Sequence, residues 1–542
     1  MRRPALFLLF LCTVTLFLGL GRQALTDADE SYYAESAREM IERSDWLTPY
    51  YNYEFRWQKP VLYYWLSAAT YVVAGIGEWS ARFWSALSGL GLVFVTAAAG
   101  RASTKHDDVG WFSGAIVATT FGCFALARMS LPDLPLAFFI TLAIASAFDN
   151  RWMLAGLAAG LGFLTKGPLA VVLPVLVVVP AWWVARQRWS LGVRQVGPAL
   201  AIFLVVALPW YIAMTAEHGD AYLRSFFLSD NFERFATSKF NDPRSPFFYV
   251  PILLGGLLPW TPFLIAAMWR RAREMWEGRL ALRDDEWRLL IWAAMPFLFF
   301  SVSIGKQPRY IMPVLPPIAI MLARSILHRL DIARTGHRGA RREMEFAAYG
   351  TAAIMIVAAV FLVRARALFI TAVPEFTWAA AVALIACALM LISVASRHQF
   401  AALPVRLALC GAITLVSIQF GALAGRRPEP VEEMAALVRQ HRTAAEPIGV
   451  HHVFVRNLIF YTGAAQEDLY ADDRTTEFMR SPERVLMVVN ERDLERLETA
   501  AGLSMIRLGE VRYFNTANIK FRSLVMPDPE EDIQRVLLVS NR

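Results

Sequence analysis

The chain has 542 residues, 56% hydrophobic and only 18% charged, with 54 Lys and Arg against 46 Asp and Glu for a net charge of +8. A soluble globule of this size carries roughly 25% charged residues and fewer apolar ones, so this composition excludes one and indicates a polytopic α-helical membrane protein. The basic balance does not indicate nucleic-acid binding, because the arginines sit mostly in short loops between apolar runs, where they set membrane orientation.

The chain opens MRRPALFLLFLCTVTLFLGLG, two arginines and then an apolar run. With no clean small-x-small cleavage site before Asp27, it reads as an uncleaved first span. DADESYYAESAREM follows at 27–40 and reads as a helix start, with Asp27 as N-cap and Glu30 in capping-box spacing. Tyr33, Ala37, Met40 and Ile41 form an apolar stripe, which predicts a helix lying along the membrane surface. Asp29 then falls in the first turn, where the positive end of the helix dipole keeps it ionised. Asp29 and Glu30 would also be explained by favouring a helix N-terminus and nothing more.

About thirteen spans are expected, centred near residues 13, 90, 118, 141, 158, 177, 207, 259, 296, 318, 355, 383 and 414, from runs long enough to cross roughly 30 Å of hydrocarbon. The short aromatic segment 61–76, VLYYWLSAATYVVAGI, is read as a helix at the interface. With the N-terminus in the cytoplasm, that choice puts the arginine-rich loops ARQRWSLGVR, WRRAREMWEGRLALRDDEWR and RSILHRLDIARTGHRGARR inside. A span at 61–76 would put all three outside. The four cysteines, Cys12, Cys123, Cys387 and Cys410, lie in apolar segments and act as small hydrophobes, with no disulfide or zinc spacing.

The membrane region ends near Gly425, and the breaker-rich GRRPEP leads into a segment of different character at 431–542. EEMAALVRQH and NERDLERLETAA have helical period, whereas IGVHHVFV, RVLMVVN and RVLLVSN are short β-branched runs. The alternation predicts a small α/β domain, outside by the same count. His451 and His452 are read there as structural rather than metal ligands.

The same parity collects ionisable groups on one face: the acidic stretch 22–60 within an external loop of 22–80, Asp133 in SLPDLPLAFF, Lys166 in LTKGP, the NFERF loop, and GKQPRY at 305–310. Lys and Arg at span ends often snorkel to the interface, and an Asp between prolines can be a simple turn. As a set, carboxylates and cations converging on one cavity suggest handling of a phosphorylated substrate. GLGFLTKGP does not meet the GxxxxGK[ST] pattern, so ATP is not expected. A transporter or flippase is the non-enzyme alternative, but such proteins place charges near the midplane and often carry repeats, and no repeat is visible here.

The run DADESYYAESAREMIERSDWLTPYYNYEFRWQKPVLYYW resembles the first external loop of bacterial GT-C membrane glycosyltransferases. It is most similar to the aminoarabinose transferases that modify lipid A and more distantly to protein O-mannosyltransferases. GIGEWSARFWSALSG, SLPDLPLAFF, GLAAGLGFLTKGPLAVVLP, ALPWY, NFERF, LLPWTPF and GKQPRYIMPVLPPIA continue the likeness in order. The resemblance implies a GT-C domain over 1–425 with a periplasmic α/β domain at 431–542. It also implies inverting transfer of a sugar from undecaprenyl phosphate at the outer face of the inner membrane.

By position it implies Asp29 as the principal catalytic carboxylate, with Glu30 beside it, and Asp133 as the second acidic position. Lys59 and Arg234 match donor-phosphate contacts, Tyr310 lines the donor site with Lys306 and Arg309 beside it, and Lys166 faces the site from a span end. Lipid A with aminoarabinose is the leading acceptor and sugar; another surface glycan or a protein hydroxyl is the alternative. QKPV departs from the family's double proline, and ATSKFND after NFERF lacks the expected His, so no metal or other cofactor is expected.

Overall fold

The computed structural model describes residues 2–26, 29–184, 192–233, 237, 243–443, 445–516 and 519–542. Among them, six helices are long and apolar enough to cross a membrane: Glu78–Thr104, Arg194–Asn231, Pro308–Arg334, Arg338–Ala367, Pro374–Ser396 and Phe400–Leu423. The bent pair Asp107–Ala118 and Phe121–Ala127 makes a seventh. Arg3–Phe17, Asp133–Phe148, Trp152–Lys166, Leu169–Val184 and Pro246–Gly256 are shorter apolar helices. The chain is a multi-span membrane protein. Side chains such as Val205, Ile212, Val302 and Val382 stay exposed on the outer faces, as helices that meet lipid rather than water require.

Helical structure covers twelve of the thirteen expected centres. At the other, near residue 259, two helices, Tyr249–Gly256 and Thr261–Trp276, replace the single expected span. Pro259 supplies no N–H for a helix to continue through that point. Small residues let helices approach closely, as at Gly156 and Gly160, which lie against Ala199 and Val206 of the neighbouring Val193–Leu223 helix; this is the small-xxx-small arrangement of membrane helix pairs. Leu62–Ala74 has 13 residues, about 20 Å of helix, which falls short of a roughly 30 Å core.

The helix expected at 27–40 runs Asp29–Arg43, and Asp27 lies outside the described residues. Its surroundings correct the surface-helix expectation. Besides Tyr33, Ala37 and Met40, the polar side chains of Glu30, Ser31, Glu35, Ser36 and Glu39 are also buried. The helix is packed between the span bundle and the C-terminal domain.

That domain is a five-stranded sheet in the spatial order Glu467–Leu469, Ile448–His451, Leu486–Asn490, Gln534–Ser540, Ile506–Tyr513. Ile448–His451 is parallel to both its neighbours, while Gln534–Ser540 is antiparallel to both of its own. The outer strands Glu467–Leu469 and Ile506–Tyr513 were not expected. One is only three residues long, and the other carries the charged run IRLGEVRY with little burial. His451 is buried in its strand beside the Thr475 hydroxyl at 3.2 Å. All four cysteines are buried and unpaired.

The helices Asp284–Val302 and Leu315–Arg334 connect two different ends of the bundle. At one end the turn between them carries Lys306, Arg309 and Tyr310. At the other, a cavity of about 1180 Å³ is lined by Arg270, Arg271, Arg283, Arg324, Arg329 and Arg334, so two of the three arginine-rich loops gather there.

Candidate active site

Each acidic or basic group reaches the site from a helix end. Asp133 begins its helix directly after Pro132, in the first turn where the dipole favours a carboxylate. Lys166 is the last residue of its helix, which Gly167 stops at a φ of 85°; a cation suits that end of the dipole. Arg309 and Tyr310 lie on the 3₁₀ turn Pro308–Val314. Asp29 is in the first turn of Asp29–Arg43.

These groups meet. The Lys166 ammonium donates to Asp133 Oδ1 at 2.5 Å and lies 4.6 Å from the Tyr310 ring centroid. Arg309 Nη2 pairs with Asp29 Oδ2, while its Nε is 3.3 Å from Asp133 Oδ2. That second approach is poorly directed, and Arg309 Nε makes no hydrogen bond among the described residues. One guanidinium thus bridges two carboxylates with a donor left over.

Two further arginines, not anticipated, complete the surroundings of Asp29. Arg456, from the C-terminal domain, lies 3.4 Å from Asp29 Oδ1. Arg56 donates to the Tyr64 hydroxyl at 3.0 Å and sits over the rings of Tyr32, Tyr33 and Tyr51, with no ion pair of its own among the described residues. Burial alone would raise the Asp29 pKa, but Arg309, Arg456 and Arg56 outweigh it and hold the carboxyl below its usual range.

The other sequence candidates have different settings. Glu30 does not join Asp29. Its carboxylate is fully buried and accepts from Arg82 Nε at 2.6 Å and Nη2 at 3.2 Å, from the Ser130 N–H, and from the N–H and hydroxyl of Thr26. Arg82 spends its three remaining N–H groups on the carbonyls of Leu20, Gln23 and Ala24. Every Arg82 N–H there is used and both Glu30 oxygens are engaged, a structural setting unlike the open one around Asp29. Lys59 donates to the Gln58 carbonyl at 2.9 Å and lies 3.5 Å from Asp230 Oδ1; Asp230 was not anticipated. Lys306 turns inward, donating to the carbonyls of Ser303 and Arg244. Arg234 lies outside the described residues. Among those described, no group of three or more His, Cys, Asp or Glu is placed to hold a metal ion.

Both sequence and fold comparisons converge on one class of protein. Residues 2–219 match the family described as dolichyl-phosphate-mannose-protein mannosyltransferase. The undecaprenyl phosphate-α-4-amino-4-deoxy-L-arabinose arabinosyl transferase of Edwardsiella ictaluri is 33% identical over 316 residues, 56% of each chain. The Shewanella sediminis protein of the same name is 34% identical over 331 residues, 58% of each. The match therefore spans under three fifths of these relatives' length. ArnT from Cupriavidus metallidurans, solved in the apo state, superposes with a TM-score of 0.73 at 22% identity, covering 99% of this chain and 97% of that one.

The chain has the GT-C fold. An ArnT structure with undecaprenyl phosphate bound superposes equally, at a TM-score of 0.72, 22% identity and 99% and 98% coverage. An Archaeoglobus fulgidus oligosaccharyltransferase shares the fold more loosely, at 0.54 and 12% identity over 95% of this chain and 70% of that one. The resemblance that the ordered GT-C motifs suggested is borne out.

Proposed function

We propose that this chain is a GT-C glycosyltransferase that moves a sugar from a polyprenyl phosphate to an acceptor at the external, periplasmic face of the inner membrane. Undecaprenyl phosphate is the lead carrier, and aminoarabinose and lipid A are the lead sugar and acceptor. The names of the curated relatives support this choice. The observation that carries it is the Asp29–Arg309–Asp133–Lys166 cluster, where carboxylates and cations from four helix ends share one space.

A membrane-borne donor suits such a place. A polyprenyl chain gains roughly 0.8 kcal/mol per buried CH₂, so it stays in the bilayer and presents its phosphate at headgroup depth. In the reaction an acceptor oxygen bonds to the anomeric carbon while the bond from that carbon to the phosphate oxygen breaks, and the phosphate leaves with the electron pair. Arg309, with an unused Nε–H, and Lys166 stabilise the charge gathering on that phosphate, in a water-poor setting where such contacts are strong. Lys59 and Arg234 join them by analogy with the family's donor contacts.

Asp29 acts according to the acceptor. A hydroxyl acceptor gives it its proton. A phosphate acceptor on lipid A is already nucleophilic, and Asp29 then orients it or offsets positive charge developing on the sugar.

The test is a lipid A mass spectrum from a host that makes the lipid-linked aminoarabinose but lacks its own transferase. Wild type should add one pentosamine mass that Asp29→Asn does not. No added mass from wild type found in the membrane would overturn the lipid A assignment.

A further inference from the structure

The C-terminal domain carries no catalytic motif of its own, yet it grips the catalytic loop on both flanks of the Asp29–Arg43 helix. On one flank, Asn457 donates to the Leu25 carbonyl at 2.9 Å, the Tyr461 hydroxyl accepts from Leu25 N–H at 2.7 Å, and Glu429 accepts from Ala24 N–H at 2.9 Å. Ala24 packs into the hydrophobic core of the domain itself. On the other flank, Asn52 exchanges two hydrogen bonds with the backbone of Gln466, at 2.8 and 3.0 Å, and the Tyr51 hydroxyl donates to the Arg456 carbonyl at 3.3 Å.

Between these anchors Arg456 reaches Asp29 from the side away from Arg309, one arginine to each carboxylate oxygen. Its guanidinium also rests 5.3 Å from the centroid of the Tyr32 ring. Deepening the transferase reading on which it rests, we infer that Arg456 is a positioning residue, holding the Asp29 carboxylate from the domain side, so that the active site is complete only with the C-terminal domain docked.

The chemistry gives this contact a purpose. Arg309 is shared between Asp29 and Asp133, so an arriving phosphate draws it away from Asp29. Arg456 meets Asp29 at the far oxygen, Oδ1, and stays. The carboxylate is then held in place when the donor is bound, which is when its orientation matters. Charge counting agrees: Asp29 and Asp133 are surrounded by Lys166, Arg309, Arg456 and Arg56, two more positive charges than negative, as a bound phosphate requires. The groups that face Asp29 are Arg309 from the 3₁₀ turn, Arg456 from the domain and Arg56 from the loop, with Asp133 behind Arg309 and Tyr33 farther along its own helix.

The experiment reads Asp29 protonation without any substrate. The full-length protein in lipid nanodiscs is treated with a hydrophobic carbodiimide, which modifies the protonated carboxyl, across a pH series, and labelling of Asp29 is quantified by mass spectrometry. Arg456→Gln should move the labelling midpoint up by roughly half to one pH unit, the size expected for one partly exposed opposite charge. Arg456→Lys should stay near wild type. Arg456→Cys is the folding control, since all native cysteines are buried and Arg456 is 36% exposed. An aminoethyl methanethiosulfonate adduct should restore the wild-type midpoint, and the neutral methyl adduct should not.

A midpoint indifferent to charge at position 456 overturns the inference. Sugar transfer, measured separately on the same proteins, should show its acid limb moving with the labelling midpoint. Wild type that labels as expected but transfers no sugar would overturn the transferase reading and leave the Arg456–Asp29 coupling standing.

Discussion

Asp29 and Glu30 are neighbours in the chain, yet they belong to two polar regions built on opposite plans. Around Glu30 everything is closed: the carboxylate and Arg82 are 0% and 2% exposed, and all five Arg82 N–H groups have acceptors. Asp29 and Arg456 are each 36% exposed and Arg309 19%, one arginine serves two carboxylates, and its Nε–H has no acceptor among the described residues. A saturated buried network specifies a fold, because any partner removed leaves an uncompensated charge. An unsaturated, reachable one retains capacity for a ligand. The difference between the two plans supports the proposed site at Asp29 more than the presence of charge does.

The largest effect should fall on Asp29. Asp29→Asn is expected to lower sugar transfer at least ~1000-fold, about 4 kcal/mol of transition-state stabilisation, with a melting temperature within a few degrees of wild type. Retained transfer would move the catalytic role elsewhere. Glu30→Ala should do the reverse. It strands Arg82 as a buried unpaired cation at a cost of about 3–5 kcal/mol in stability, seen as loss of folded protein in the membrane. The double change Glu30→Leu with Arg82→Met should recover much of that loss, since replacing both partners by apolar groups is often close to neutral. A double variant as unstable as the single one would sink the closed-network account.

Arg309→Lys tests the open region at smaller amplitude. Lysine keeps the charge but cannot span Asp29 and Asp133 with a planar fork. Transfer should fall roughly 100-fold, or about 3 kcal/mol, with the apparent KM for donor rising. A change in kcat alone would argue that Arg309 orders Asp29 without meeting the phosphate.

Much of this was legible in the sequence. Charges at the edges of apolar runs stand out because membranes make them costly, so parity alone gathered the acidic stretch 22–60, Asp133, Lys166, the NFERF loop and GKQPRY, while Asp29, Arg309 and Tyr310 were singled out within them by the family resemblance. The C-terminal domain was legible from its alternating helical and β-branched runs. The fates of adjacent acids were not. Successive helical residues point about 100° apart, and nothing local says which of Asp29 and Glu30 turns into the site. Arg456 lies 427 positions from its partner, and only the docking of a whole domain brings it there. Lys306, in the middle of a well-matched motif, was invisible as an inward-turned side chain because the carbonyls of Ser303 and Arg244 that accept from its ammonium meet it only in the fold.

Between the closed and open plans stands Glu39, nearly three turns farther along the Asp29 helix, and it provides the finest test. It is fully buried and accepts from Tyr53 N–H at 2.9 Å, with the Asn52 backbone also favouring its charged form, while its Oε1 has no hydrogen bond among the described residues. Burial, with Glu35 nearby, pushes its pKa up to about 7, against about 4.3 for a free glutamate. A carboxyl raised in the folded state favours folding at low pH, and that contribution fades as pH climbs from about 4.3 through 7. Glu39→Gln keeps the acceptor and removes the charge. It should therefore leave stability nearly unchanged at pH 5 and raise it by roughly 1–2 kcal/mol at pH 8, where wild type must bury an anion. Melting curves of both proteins at the two pH values decide the matter: a loss of equal size at pH 5 and pH 8 would mean that Glu39 is already charged and paired in the folded protein, and so belongs to the closed plan after all.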